Sequence, residues 1–403
     1  MKKENHKEEF ISKLNAQTKD ERLTALSELY HMHKSGELEM PKTGNNVNNH
    51  IHTTFSFSPY SPAKAVYLSW LSGLATAGIM DHDSAAGAME FIDAAKIISF
   101  PVTVGVECRC DISETKFRGK LINNPDQKSV AYMAIHGIPH QNINEVERYF
   151  APRREKRNER NKKIINSLNN KLKPYGLHMD FDNDVLPLTQ YQSGGSVTER
   201  TLMYALSAKL SKDEMSRQFL LGLFKSHLIE SIYVDADEEL LTLKELVDLC
   251  EKTGAIATYL YLGDVSASVT GDKKAEAYED AFLDELLQYM KSIGIRAVAY
   301  TPARNTQAQL KRVKELAIIN DMLQICGEDL NSPLQSFICD KIETPEFMHL
   351  IDSAWALIGH ELKCVAGISE GMFSKETMRK IPDLNARITH YANYAKKEYL
   401  YAR

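Results

Sequence analysis

The chain has 403 residues, of which 43% are hydrophobic, so it can bury a substantial core in one or two domains. Its formal net charge of -5 and pI of about 6.3 argue against a broadly basic surface for nucleic acid or anionic membranes. No run of about 18 apolar residues predicts a membrane span, and no apolar stretch near the N-terminus predicts a signal peptide.

Residues 1–45 predict a helical extension, because apolar side chains recur at helical spacing over 19–33 before the polar stretch 42–49. From residue 46 the pattern changes to α/β. We predict a helix over 63–77, a short strand ending at Asp81-His82-Asp83, a helix over 85–99 and a strand that ends near Glu107. Strands that alternate with helices of this length are typical of a parallel sheet. This first α/β part spans 46–142.

Residues 143–245 predict a helical insertion. A highly charged helix ends at Pro174 and Gly176, and shorter helices with the loop 192–200 follow. Strand patterns return at 254–265, 295–300 and 322–329, so residues 246–340 are predicted to complete the α/β part. Residues 341–403 predict a helical C-terminal extension, which Trp355 and Leu357 would pack onto the body.

The six cysteines are scattered and lack CxxC spacing. Cys108 and Cys110 alternate with charged residues, so both thiols would share one face of a strand. This usage is typical of a reduced protein, and we predict a cytoplasmic location.

Several polar side chains fall where strands are predicted to end. His50 and His52 are two residues apart, so in a strand both imidazoles would point to one side and could bind a metal. Glu107 and Asp329 each follow an apolar run, where a buried carboxylate is costly unless it is solvated, paired or bound to metal. For Asp83 we favour a plain structural role as the N-cap of the next helix.

Four segments occur in an order that resembles the PHP (polymerase and histidinol phosphatase) superfamily: HIHTTFSFSP from residue 50, GLATAGIMDHDSAAGAMEFIDAA from residue 73, FPVTVGVE from residue 100 and ICGEDLNSP from residue 325. The arginine-rich helix and the GGSVTER loop of the insertion resemble the helical insert of PHP phosphoesterases. The resemblance implies a distorted (β/α)7 TIM-like barrel that holds two or three divalent metals at the carboxyl ends of its strands and hydrolyses phosphoesters.

The resemblance implies metal ligands residue by residue. One metal position would use four residues that are all present, namely His50, His52, Glu107 and Asp329. A second position keeps His82, but its other two places fall near Phe57 and at Asn331. A third would use Tyr132 and Tyr261, and tyrosine is a poor ligand at neutral pH because its pKa is near 10. His136 or His140 could fill the place of Tyr132 instead.

We therefore predict a metal-dependent phosphoesterase that hydrolyses a small phosphorylated metabolite or nucleotide through metal-activated water. The metal would be Zn, Mn or Fe, with one site and room for a second at His82. His82 would act as a second ligand or proton shuttle, and Arg200 would contact the phosphate, unless it is an ordinary surface residue. The alternative is a degenerate PHP domain that binds one metal or ligand without catalysis. No membrane or nucleic-acid partner is predicted.

Overall fold

The computed structural model describes residues 2–265 and 277–401. Its strands are β1 (Val47–Ile51), β2 (Thr76–His82), β3 (Val102–Asp111), β4 (Val130–His136), β5 (Leu241–Thr242), β6 (Ile256–Leu260), β7 (Ala297–Tyr300) and β8 (Leu323–Cys326). The α-helices are α1 (Lys2–Lys13), α2 (Lys19–Lys34), α3 (Pro62–Leu71), α4 (Ala88–Ile98), α5 (Ile143–Leu172), α6 (Glu199–Leu210), α7 (Glu214–His227), α8 (Leu243–Thr253), α9 (Leu283–Ser292), α10 (Gln307–Ile319), α11 (His349–Cys364), α12 (Lys375–Lys380) and α13 (Leu384–Lys396).

Seven strands form a nearly closed barrel in the order β1-β2-β3-β4-β6-β7-β8, and the short β5 pairs with the end of β3. Neighbouring strands are parallel, except that β4 runs antiparallel to both β3 and β6. A parallel bridge between Ile51 and Leu330 brings β1 to the segment after β8. This architecture confirms the expected α/β class and the distorted TIM-like barrel.

Strand β2 shows why the barrel forms here. Its first six residues are all buried, as expected for a parallel strand that is covered on both faces. Gly78 allows the close approach of β1, since a Cβ at this position would lie 2.9 Å from the Cα of Asn49. Helices α3 and α4 pack beside the strand with buried apolar faces.

Two local predictions were wrong. The helix expected over 63–77 ends at Leu71, and the chain from Thr76 is already in β2. Strand β3 does not end near Glu107 but continues to Asp111, because Cys108 and Cys110 pair with β4. Glu107 is therefore an interior strand residue.

The helical segments pack onto this barrel. Arg22 in α2 donates to Glu90 in α4 at 2.8 Å in a buried ion pair, which fixes the N-terminal helices. In α11, Trp355 and Leu357 are buried, and Glu361 accepts from the backbone N–H of Val104 at 2.8 Å. Helices α5, α6 and α7 contribute to a second apolar cluster, separate from the barrel core.

Within the described residues, no helix combines the length and the apolar character that a membrane span requires. All six cysteines are buried free thiols.

Candidate metal centre

The polar residues expected at strand ends come together at one edge of the barrel. His50 lies in β1 and His52 directly after it, and His82 is the last residue of β2. Glu107 in β3 is the register partner of His82. Asp329 follows β8. Because the carboxyl ends of parallel strands meet at one edge, residues distant in sequence converge here.

The cluster is centred on the Glu107 carboxylate. Its Oε2 lies 3.0 Å from His50 Nε2, 3.4 Å from His52 Nε2 and 3.5 Å from His82 Nδ1. The ligand atoms of His50, His52 and Glu107 all lie within 4.8 Å of one another. Atoms bound tetrahedrally to one ion at about 2.0–2.2 Å stand roughly 3.3–3.6 Å apart, so these separations suit a single divalent ion.

His52 gives an independent test of that fit. Its Nε2 is buried and has no hydrogen bond of suitable geometry within the described residues, although Asp329 Oδ1 lies 3.0 Å away. A buried nitrogen without a proper partner is costly, and a metal would use its lone pair. Asp329 lies outside the three-residue group but faces it from the β8 side. Imidazole and carboxylate donors together suit Zn, Mn or Fe.

The electrostatics of the cluster keep Glu107 and His82 in the forms that metals bind. Burial opposes ionisation of Glu107, but His82, His50 and His52 outweigh it and lower the pKa of this carboxyl to about 2. Burial lowers the pKa of His82 to about 3. At neutral pH the carboxylate is therefore ionised and the His82 imidazole is neutral, as metal binding requires.

Asp81 supports the cluster from behind, a role that the sequence did not reveal. Its carboxylate accepts from the Thr53 backbone N–H, from the Thr53 hydroxyl and from the Ser56 hydroxyl. Ser56 Oγ also lies 3.3 Å from His52 Nδ1. Asp81 thus ties the turn after β1 to the end of β2 and orients the His52 ring.

Arg200 reaches the cluster from the first turn of α6. Its Nη1 donates to Asn331 Oδ1 at 2.5 Å, and Asn331 Nδ2 donates to Asp329 Oδ1 at 2.7 Å. The Arg200 guanidinium carbon lies 5.4 Å from the centroid of the Phe57 ring. Arg200 is therefore held beside the candidate metal site by an aromatic face and by an amide.

The expected capping role of Asp83 was wrong. Helix α4 has Gly87 at its N-cap position and no side-chain cap. The Asp83 carboxylate instead accepts from Arg157 Nη1 at 2.6 Å, and its carbonyl accepts from Arg154 Nη1 at 2.8 Å. Asp83 has a positive φ of 50°, so these two arginines of α5 clamp a strained turn directly after His82.

The same arginine-rich helix forms a buried ionic cluster with the start of α6. Glu199 accepts from Arg157 at 2.7 Å and from Arg160, and Arg109 in β3 lies 3.4 Å away. Arg160 and Arg109 also contact Glu239. Because Glu199 precedes Arg200, this cluster fixes the helix turn that presents Arg200.

Among the residues that the structure describes, the positions expected for the third metal belong to no group of three or more metal-binding side chains. The Tyr261 hydroxyl donates to Asp280 Oδ1 at 2.6 Å, and burial raises the pKa of both Tyr132 and Tyr261. His140 lies 3.0 Å from Glu361 Oε2, and Glu361 belongs to α11 rather than to the cluster. His136 lines the cavity, and its Nδ1 lies 3.1 Å from Thr258 Oγ1.

A cavity of about 750 Å³ opens onto the cluster. His50, His82, Glu107 and Asp329 lie in its wall together with Arg200. The segment 143–245 adds a further part of the wall, including Met203, Lys225 and Tyr233. The cavity is large enough for a small organic molecule, and its mixed lining offers both charged and aromatic contacts.

No protein-family model matches the sequence, and no curated protein matches it significantly. Solved structures do. An inferred metal-dependent phosphoesterase from Bifidobacterium adolescentis aligns with a TM-score of 0.56 and 19% identity, over 78% of this chain and 98% of that chain. An amidohydrolase from Chromobacterium violaceum, solved with sulfate and no metal, aligns with a TM-score of 0.54 and 17% identity, over 73% and 90%.

A two-domain protein from Bacteroides vulgatus, described as containing a PHP-like metal-dependent phosphoesterase, aligns with a TM-score of 0.31 and 9% identity, over 74% of this chain and 57% of that chain. That similarity is too low to carry an argument, whereas the first two structures match most of the fold. The chain therefore shares the fold of these first two structures, a metal-dependent phosphoesterase and an amidohydrolase.

Proposed function

We propose that the chain is a metal-dependent phosphoesterase that hydrolyses a small phosphorylated metabolite or nucleotide. The observation that carries the proposal is the convergence of three imidazoles on Glu107 Oε2, at 3.0, 3.4 and 3.5 Å, at the wall of a large cavity. When bound, a divalent ion would supply a Lewis acid that activates water and polarises a phosphoryl oxygen.

The chain's own residues would divide the remaining work. His50, His52, Glu107 and Asp329 would hold the ion. His82 would be a further ligand or would carry a proton, and its neutral state at pH 7 favours the ligand role. Arg200 would bind the phosphoryl oxygens, because a guanidinium matches their geometry with paired donors.

The proposed insertion, residues 143–245, would set the choice of substrate. It supplies Arg200 and the side chains of Met203, Lys225 and Tyr233 to the cavity wall. We also propose that the chain is divided into a barrel, an insertion and two helical extensions. The cytoplasmic location is a proposal as well.

A second candidate function is binding of one metal or ligand without catalysis. It is favoured by Asn331, whose side chain bonds Arg200 and Asp329 and so does not offer a strong ligand for a second ion. Tyr261 favours it as well, since its hydroxyl is engaged by Asp280.

The test is elemental analysis of protein purified without chelators, together with hydrolysis of a chromogenic phosphomonoester in added Mn²⁺. We expect bound metal and turnover in the natural chain, and loss of both in His50→Ala. The matched control is His390→Ala, because His390 is an exposed residue of α13. Stoichiometric metal without turnover on any phosphoester would support the binding protein instead.

A further inference from the structure

The positive charge beside the candidate metal is built into the chain. Arg200 is anchored on two sides, by the Phe57 ring at 5.4 Å and by Asn331 Oδ1 at 2.5 Å. Asn331 in turn donates to Asp329 at 2.7 Å, and Asp329 lies 3.0 Å from His52. One continuous chain of contacts therefore joins the guanidinium to the metal-facing imidazole.

The described residues offer one group of ligands and not two. His50, His52 and Glu107 form the single group of three or more such side chains, among the residues described, that could hold a metal ion. Besides His52, the side chain that contacts the Asp329 carboxylate is the Asn331 amide, and that amide accepts from the Arg200 guanidinium. A guanidinium repels a second divalent cation at short range, and the effect is strong where water is scarce.

The charges of the site agree with this count. Glu107 and Asp329 together balance one divalent ion, and the Arg200 guanidinium stands next to this pair through Asn331. A second divalent ion would add two positive charges without any further carboxylate from this cluster. Positive charge on both sides of the reacting phosphorus stabilises the transition state of phosphoryl transfer, and a fixed guanidinium can supply one of the two charges.

We propose that the Arg200 guanidinium supplies the charge that a second metal ion would otherwise provide, so that the centre holds one divalent ion per chain. The sequence resemblance gave two places to a second ion, one near Phe57 and one at Asn331, and both of these residues contact this guanidinium. The proposal deepens the proposed function and rests on it for the identity of the anion.

The experiment measures metal and anion separately. Native mass spectrometry with saturating Mn²⁺ counts ions per chain, and calorimetry gives the Kd of Mn²⁺ and then of inorganic phosphate on the Mn²⁺-loaded protein. We expect one ion in the natural chain. In Arg200→Ala we expect one ion with unweakened affinity, and a phosphate Kd at least about tenfold higher, as for loss of a charged hydrogen bond.

Three further variants sharpen the result. Arg200→Lys should fall between the natural chain and Arg200→Ala, because it keeps the charge but loses the fork. Arg379→Ala changes an exposed arginine of α12 and should leave both Kd values unchanged. If Arg200→Ala does not fold, Phe57→Leu takes its place. This variant keeps the guanidinium but removes the ring that contacts it, so we expect phosphate binding to weaken by roughly two- to fivefold.

Two Mn²⁺ ions in the natural chain, or a phosphate Kd in folded Arg200→Ala within about twofold of the natural value, would overturn the proposal. If Phe57→Leu has to be used in place of Arg200→Ala, an unchanged phosphate Kd in Phe57→Leu would overturn the proposal. Turnover is measured apart from these values. One ion and Arg200-dependent phosphate binding without hydrolysis would defeat the proposed function alone, whereas hydrolysis with two ions would defeat this inference alone.

Discussion

The carboxylate of Asp81 accepts two hydrogen bonds from Thr53, one from its backbone N–H at 2.7 Å and one from its hydroxyl at 2.6 Å. Thr53 directly follows His52, and Asp81 directly precedes His82. The two bonds therefore lock together the strand ends that carry two of the cluster's imidazoles. Groups that orient metal ligands in this way affect metal affinity almost as strongly as the ligands themselves.

We expect Asp81→Asn to raise the Kd for Mn²⁺ by about 10- to 100-fold and to lower the free energy of unfolding by about 2 kcal/mol. The asparagine keeps the shape but places a donor where Thr53 and Ser56 need acceptors. Calorimetry and urea unfolding measure the two effects. Asp340→Asn, at an exposed position, is the control. Unchanged metal affinity in Asp81→Asn would show that the turn holds its shape without this carboxylate.

His82 separates the two candidate functions. His82→Ala leaves the His50, His52 and Glu107 group intact, so we expect it to keep one bound ion per chain. Under the phosphoesterase proposal turnover should be lost, because the variant lacks the imidazole that would be a further metal ligand or would carry a proton. Metal content and chromogenic turnover are measured on the same sample. Full activity in His82→Ala would remove this residue from the mechanism.

Glu199 should be a strong contributor to stability. It is the shared acceptor of Arg157 and Arg160, and the arginines hold its pKa well below the usual range against the effect of burial. Glu199→Gln removes one of the carboxylates that the buried arginines share, while Asp83 and Glu239 remain, so the free energy of unfolding should fall by about 1.5–3 kcal/mol.

Urea unfolding measures that loss. Glu376→Gln, which also removes a carboxylate from the first turn of a helix but at an exposed site, should cost less than about 1 kcal/mol. Equal effects of the two substitutions would mean that the buried cluster adds nothing beyond an ordinary helix end.

Glu279 predicts a pH dependence of stability. Burial raises the pKa of this carboxyl from 4.5 to about 7, while its Oε1 accepts from the N–H groups of Leu262 and Gly263. Between pH 4.5 and 7 the folded chain holds a proton that the unfolded chain has released. Stability therefore falls as the pH rises through this range, by up to about 3 kcal/mol, and this contribution is constant above it.

Glu279→Gln should remove that decline, because the amide oxygen accepts the same hydrogen bonds without ionising. The measurement is urea unfolding at pH 5 and pH 8, with Glu370→Gln at an exposed position as the control. If the free energy of unfolding changes between pH 5 and pH 8 by the same amount in Glu279→Gln and in the natural chain, the pH dependence belongs to other groups.

The sequence was sufficient to predict site residues where metal-binding side chains lie at or near the end of a predicted strand. The two-residue spacing of His50 and His52, and the apolar run before Glu107, predicted residues that the fold does bring together. The parallel α/β class followed from the alternation of strands and helices, and the barrel was what the motif resemblance implied.

The remainder depended on contacts between distant parts of the chain. Nothing local to Asn331 shows that its amide bridges Arg200, 131 residues earlier. The direction of β4 was hidden for a similar reason, since strand residues look alike in parallel and antiparallel pairs. The continuation of β3 past Glu107 follows from that pairing, because Cys108 and Cys110 find their partners only when β4 runs backwards.

The reversed strand also changes the route of the chain through the molecule. In an ordinary β/α unit the strand ends at the rim of the barrel and the helix descends. Strand β4 ends instead at the floor, where the N–H of Ile138 bonds the carbonyl of Val104, so α5 starts low and climbs. Arg154 and Arg157 lie about 17 and 21 Å along this helix from its first residue, and there they contact the turn after His82. One helix, with Pro152 inside it, thus joins the underside of the barrel to the turn beside His82, so the floor and the metal-facing edge share a single secondary-structure element.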